Sequence, residues 1–123
     1  MKTRQQERAA EAYSRVKKME NDGKKKDYGR LCLHLPALIH QCGLCQTVAF
    51  FEAKAKEKAD SAHFKVLADL EGVMRTLELP KQARNGALGP YLQLTREAMR
   101  SAEWMKRYAE AVLKVEMGAD AHV

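Results

Sequence analysis

No stretch of this chain is long and apolar enough to cross a bilayer. A spanning helix needs about 20 apolar residues, and the longest runs among the 123, such as Val48-Ala49-Phe50-Phe51, stop after a few. The first residues, MKTRQQERAAEAY, are charged throughout and contain no apolar h-region, so no secretory signal is expected and a cytoplasmic location is. Cysteine is scarce and odd in number, three in all, which fits a reducing compartment better than a disulfide framework. Period-two alternation is missing as well, so no convincing strand is expected. There is no internal repeat and no low-complexity tract. Nor is there a glycine-rich phosphate loop, a paired Glu-x-x-His set of the di-iron kind, or a recognisable serine, histidine and carboxylate arrangement. The lone Asp60-x-x-His63 reads as a helix cap beside a partly exposed histidine. No catalytic residue and no cofactor are expected.

Basic charge is what the chain does have. With 46% apolar and 31% charged residues, the composition is that of a soluble globular protein, and the formal net charge is +6. Residues 1–30 hold ten Lys or Arg against five Asp or Glu, a net of +5. The remainder holds twelve against eleven. An excess so concentrated suits a polyanionic partner, either nucleic acid or an acidic protein surface, although a basic helical protein without such a partner has the same composition.

Helical periodicity runs through the chain with clear punctuation. Thr3 and Gln6 form a capping-box pair for a helix running to about Met19, and NDGKKKD breaks it. A second helix, Tyr28–Cys42, has Tyr28, Leu31, Leu35, Leu38 and Ile39 at core spacing, with Pro36 predicting a kink or break. Gly43 is a natural left-handed C-terminal stop. Leu44 to about Lys58 follows, with Leu44, Val48, Phe51 and Ala55 on one face. Asp60 or Ser61 caps a fourth helix that turns Phe64, Leu67, Leu70, Met74 and Leu77 inward. LPKQARNGALG reads as the longest loop. Pro90 suits the first turn of a last helix reaching Met117, at most roughly 40 Å long. The expectation is an all-α, compact bundle of about five to six helices, one domain over 1–123, frayed from about residue 118.

Cys42-x-x-Cys45 raises redox or zinc chemistry. A redox pair of the thioredoxin kind follows a strand and opens a helix, whereas a helix precedes this one. Zinc would need four of Cys32, His34, His40, Cys42 and Cys45 to converge, and on a helical wheel they diverge. Cys42 falls on the core stripe, as a small packed apolar residue would.

Two arginine faces stand out. Arg4, Arg8, Arg15 and Lys18, with Glu11 among them, fall within an arc of about 80° on the first helix, opposite Ala9, Tyr13 and Val16. On the last helix, Tyr91, Thr95, Ala98, Ala102, Met105, Ala109, Val112 and Leu113 form the inward stripe. Arg96, Arg100, Arg107 and Lys114 line the other side, flanked by Glu103 and Glu110. Such spacing suits contacts that follow phosphates, and it equally suits a solvated face. Trp104 projects off the core stripe beside Arg100, Arg107 and Tyr108, as a satellite-core residue or an interface anchor does.

Three segments, RQQERAAEAYSRV, LPALIHQCGLCQTVAFFEAK and YLQLTREAMRSAEWMKRYAEAVLK, together resemble the small subunit of the type III-B CRISPR effector, the Cmr complex. The matching positions are Pro36, Ile39, Gly43, Leu44, Phe50 and Lys54, then Trp104, Lys106, Arg107, Tyr108 and Ala109. The resemblance spans roughly Thr3 to Glu116 and gives Cys45 no chemistry. It implies an all-α protein without catalytic activity. Such subunits stack with copies of themselves and with other Cmr subunits beside the guide RNA, along the channel for the guide–target duplex. The candidate nucleic-acid-binding residues are then Arg4, Arg8, Arg15, Lys17, Lys18, Lys54, Arg96, Arg100, Lys106 and Arg107. Trp104 and Tyr108 are candidate protein contacts, and no metal or membrane is expected. Two other classes stay open: an independent basic helical regulator of nucleic acid, though no helix-turn-helix is evident, and a cytosolic Cys-x-x-Cys metal or redox protein.

Overall fold

The first helix, α1 (Arg4–Lys17), starts where its capping residues put it. The Gln6 backbone N–H donates to the Thr3 hydroxyl at 3.1 Å, and the Thr3 N–H donates to the Gln6 side-chain carbonyl at 2.8 Å. The computed structural model describes residues 1–116. After α1 come α2 (Lys25–Cys42), α3 (Leu44–Glu57), α4 (Ala62–Met74), α5 (Leu79–Asn85) and α6 (Leu88–Tyr108), which runs on as a π-helical turn, Ala109–Leu113. No strand occurs among the described residues, so the fold is all-α. The expected frayed tail from about residue 118 lies outside them.

One apolar cluster joins all six helices, with α2 at its centre, packed against α3, α4, α6 and the π turn. Tyr28, Leu31, Cys32, Leu33, Leu35 and Ile39 are all buried, so α2 hides most of its circumference. This explains why Pro36 does not break it. An interior proline costs about 3 kcal/mol, and each large apolar side chain buried nearby contributes about 1.5–3 kcal/mol. The helix is held by its neighbours on both sides of the proline.

LPKQARNGALG, expected as a loop, contains α5 and the start of α6. Its breakers are a helix start and a helix stop. Pro80 lies in the first turn of α5, where a missing N–H is harmless, and Leu79, Pro80 and Ala83 are buried. The Leu79 N–H donates to Glu71 Oε2 at 2.7 Å. Ser61, rather than Asp60, caps α4 by accepting from the Phe64 N–H at 3.1 Å. The inward face of α4 is Ala62, Val66, Leu70, Val73 and Met74. Phe64 and Leu77, expected inside, are 50% and 83% exposed. The burial of Ala62 and Val66 turns Phe64 outward, and Leu77 falls beyond the helix, which ends at Arg75 in the left-handed conformation.

Asp69 on α4 ties three helices together. The Tyr28 hydroxyl donates to Asp69 Oδ2 at 2.5 Å, and Arg15 Nη1 donates to Oδ1 at 3.2 Å. Burial pushes the Tyr28 hydroxyl far above its ordinary pKa, so it stays a donor. The guanidinium reaches Asp69 across Gly72, where a Cβ would stand 2.1 Å from Arg15 Cζ.

Candidate nucleic-acid interface

The arginines of α1 do not form the outer face expected of them. The buried stripe of this helix is Arg8, Ala12 and Val16, whereas Tyr13 is 44% exposed. The stripe is rotated toward the arginines because α1 is wedged between α6 and α4. Arg8 is 5% exposed, and its Nη2 donates to Glu97 of α6. Arg4 Nη2 donates to the carbonyls of Val73 and Met74 at 3.2 Å each, stabilising the C-terminal end of α4. Arg15 pairs with Glu11 at 2.7 Å and with Asp69 at 3.2 Å. Lys17 pairs with Glu20 at 2.8 Å. Lys18 is exposed and has no carboxylate partner among the described residues. Lys54 is 3.9 Å from Glu57 and lies over the Phe50 ring.

The outer face of α6 matches the expectation. Arg96, Arg100, Arg107 and Lys114 are exposed, and Lys106 is half-buried. Among the described residues none of the five has an ion pair. Arg96 donates to Gln93 at 2.7 Å, and Arg107 lies 5.6 Å from the centre of the Trp104 ring. Trp104 is half-buried against the core and stacks on Tyr108, with ring centres 5.8 Å apart and planes inclined at 21°. Tyr108 in turn meets Tyr13 of α1 edge to face at 5.4 Å.

A groove of about 500 Å³ runs between α1 and α6, lined by Gln5, Arg8, Arg100, Glu103, Trp104 and Arg107. Periodicity could mark the arginines of each helix, but not that Gln5 faces Trp104. The lateral register of two helices distant in sequence is set by packing alone. Glu97 was likewise missed. Its place in TREAMR on α6 gives no hint that it neutralises an arginine 89 residues earlier.

Each cysteine has its own environment. Cys32 is wholly buried, and that burial pushes its thiol well above the ordinary range. Cys42, expected on the core stripe, is exposed, because it is the last residue of α2 and projects past the cluster. Cys45 is half-buried in the first turn of α3, and its N–H donates to the Tyr91 hydroxyl at 3.1 Å. Among the described residues no three His, Cys, Asp or Glu side chains gather into a metal-binding group. Cys42→Ala with Cys45→Ala is expected to shift unfolding free energy by no more than about 1 kcal/mol, as for weakly buried positions. Stoichiometric zinc, lost on chelation together with helicity, would contradict this.

The family model for CRISPR-associated protein Cas_Cmr5 matches residues 4–112. The chain belongs to the Cmr5 family. It is 39% identical over 114 residues to the CRISPR system Cmr subunit Cmr5 of Thermus thermophilus, covering 93% of this chain and 99% of that one. A crystal structure of a Cmr5 family protein from the same organism superposes with a TM-score of 0.83 at 35% identity, over 92% of this chain and 99% of that one. The resemblance carried by the three sequence segments therefore holds at the level of the family. Of the Cmr5-like positions, Ile39 and Leu44 are core residues, Gly43 makes the α2–α3 turn, and Trp104 with Arg107 lines the groove. Among the described residues no helix is long and apolar enough to cross a membrane.

Proposed function

We propose that this Cmr5 family member is a non-catalytic small subunit of a type III-B, RNA-guided Cmr complex in the cytoplasm, and that it meets the guide–target RNA backbone through the outer face of α6. The reading is carried by the contrast between the two arginine sets. The arginines of α1 are already engaged by Glu97, Asp69, Glu11 and two helix-end carbonyls. Arg96, Arg100 and Arg107 are exposed and have no ion pair among the described residues. A cation already paired has little left for a phosphate. An exposed unpaired one releases counterions when it meets RNA. Lys18, Lys106 and Lys114 extend the positive surface, while Arg4, Arg8 and Arg15 serve the fold, and Lys17 and Lys54 are already paired with Glu20 and Glu57. Sequence would be read by base pairing, with the protein holding the backbone. Other Cmr subunits and further copies of this chain are the protein partners. Tyr108 with the exposed Tyr13 offers an aromatic edge to such a neighbour.

Charge reversal tests this directly. Arg96→Glu, Arg100→Glu and Arg107→Glu together should weaken target-RNA binding by the assembled complex. The slope of log affinity against log salt should flatten by about one unit per lost contact. Thermal stability should hardly move, since exposed substitutions stay within about 0.5 kcal/mol each. Arg4, Arg8 and Arg15 reversed to Glu should instead unfold the subunit. RNA affinity and salt slope unchanged by the α6 reversals would reject the assignment.

A further inference from the structure

The α1–α6 groove holds more than a backbone contact requires. Two arginines without an ion pair among the described residues, Arg100 and Arg107, would suffice for a phosphate. Yet the lining also includes the Trp104 ring with the Arg107 guanidinium over it, 5.6 Å from the ring centre, the Gln5 amide and the Glu103 carboxylate. An indole ring contributes little to phosphate binding, and a carboxylate opposes it. The same groups suit a base and a sugar. Bases stack on aromatic rings and on guanidinium planes, and Glu103 and Gln5 can accept from a 2′-hydroxyl or an exocyclic amine. At about 500 Å³ the groove has the size of a small-ligand site. Its floor is Arg8, whose charge is held by Glu97 and whose Nε is buried without a partner.

We propose that this groove takes one unpaired nucleotide of an RNA strand, its phosphate on Arg100 and Arg107 and its base against the Arg107–Trp104 stack. The proposal rests on the reading of α6 as the RNA-facing helix and adds the kind of RNA unit recognised there. A paired base has both faces covered by its neighbours in the duplex and cannot enter. The groove therefore distinguishes single-stranded from duplex RNA, which cations alone do not. Arg107 is exposed, and among the described residues its guanidinium has no ion pair, only the approach to the indole.

Trp104 is the only tryptophan of the chain, so emission excited selectively at the indole, beyond the absorption of the four tyrosines, reports on this groove alone. The full chain is titrated at fixed salt with a short oligouridylate, with a short RNA duplex and with inorganic tripolyphosphate. The single strand should quench Trp104 saturably, the duplex should bind with little quenching, and tripolyphosphate should leave the emission unchanged. Arg107→Lys keeps the charge and removes the plane. It should abolish the quenching and weaken single-strand binding about tenfold, as loss of one stacked base does, while the salt slope persists. Salt-dependent binding of the single strand with unchanged Trp104 emission would overturn the proposal and leave the RNA-facing role of α6 intact. Equal quenching by tripolyphosphate, or an Arg107→Lys variant that quenches normally, would overturn it too. If neither RNA binds the chain and the α6 reversals leave the complex unaffected, both readings fall.

Discussion

Glu97→Ala should destabilise the protein by about 3 kcal/mol, the lower end of the cost of breaking a buried ion pair by removing one partner. The guanidinium left behind belongs to Arg8, whose side chain is 6% exposed. Glu97 is itself 25% exposed on its side chain, which places the effect at the lower end of the range. The denaturation midpoint should fall with the slope unchanged. Arg8→Met combined with Glu97→Leu should recover most of the loss, because two apolar groups leave neither charge stranded. A cycle in which the single and double losses simply add would show that the pair is not coupled. Because Arg8 floors the groove, the Glu97 variant should also disturb Trp104 emission before any RNA is added.

Gly43→Ala should cost about 1–3 kcal/mol, the strain of a side-chain-bearing residue in a backbone region open essentially to glycine alone. Gly43 has φ 84° and ψ 158°, more restrictive than the left-handed helical stop expected from its position. The cost lies in the backbone and not in crowding. An added Cβ would find its nearest neighbour, the Tyr91 hydroxyl, at an ordinary 3.7 Å. The turn has no freedom to relax. The Gly43 N–H donates to the Ile39 carbonyl at 3.0 Å, the Thr47 hydroxyl donates to the Gly43 carbonyl at 2.8 Å, and Tyr91 accepts from Cys45. Cys42→Ala, one residue away and exposed, is the control and should stay within about 0.5 kcal/mol. Equal midpoints for the two variants would refute the backbone argument.

Several features were legible in the sequence because they are local. The Thr3–Gln6 cap, the stop at Gly43 and a helix start near Ser61 depend on residues within one turn of each other. The long helices declared themselves by apolar spacing. The exposed cations of α6 were legible too, since its inward stripe of Ala98, Ala102, Met105 and Ala109 is unbroken and leaves one outer side. The helix α5 was not. Seven residues are too few to display a period, and it stands because Leu79, Pro80 and Ala83 find a buried surface. Cys42 misled for a related reason: a wheel records direction around the axis and ignores that a helix can outrun the core.

By itself, then, the sequence determined an all-α chain, its main helix boundaries, the glycine turn and a surplus of cations concentrated in the first thirty residues. Only the tertiary structure decided which cations are free. Arg4, Arg15 and Arg8 meet partners 69, 54 and 89 residues away, and no local pattern encodes such a meeting. Nearly all the excess charge is in the N-terminal quarter, yet three of its arginines are engaged inside the protein, and the unpaired arginines of α6 come from a stretch that is almost neutral. Net charge counts ions wherever they lie. Binding needs cations that are exposed and unpaired, and packing alone sets that property.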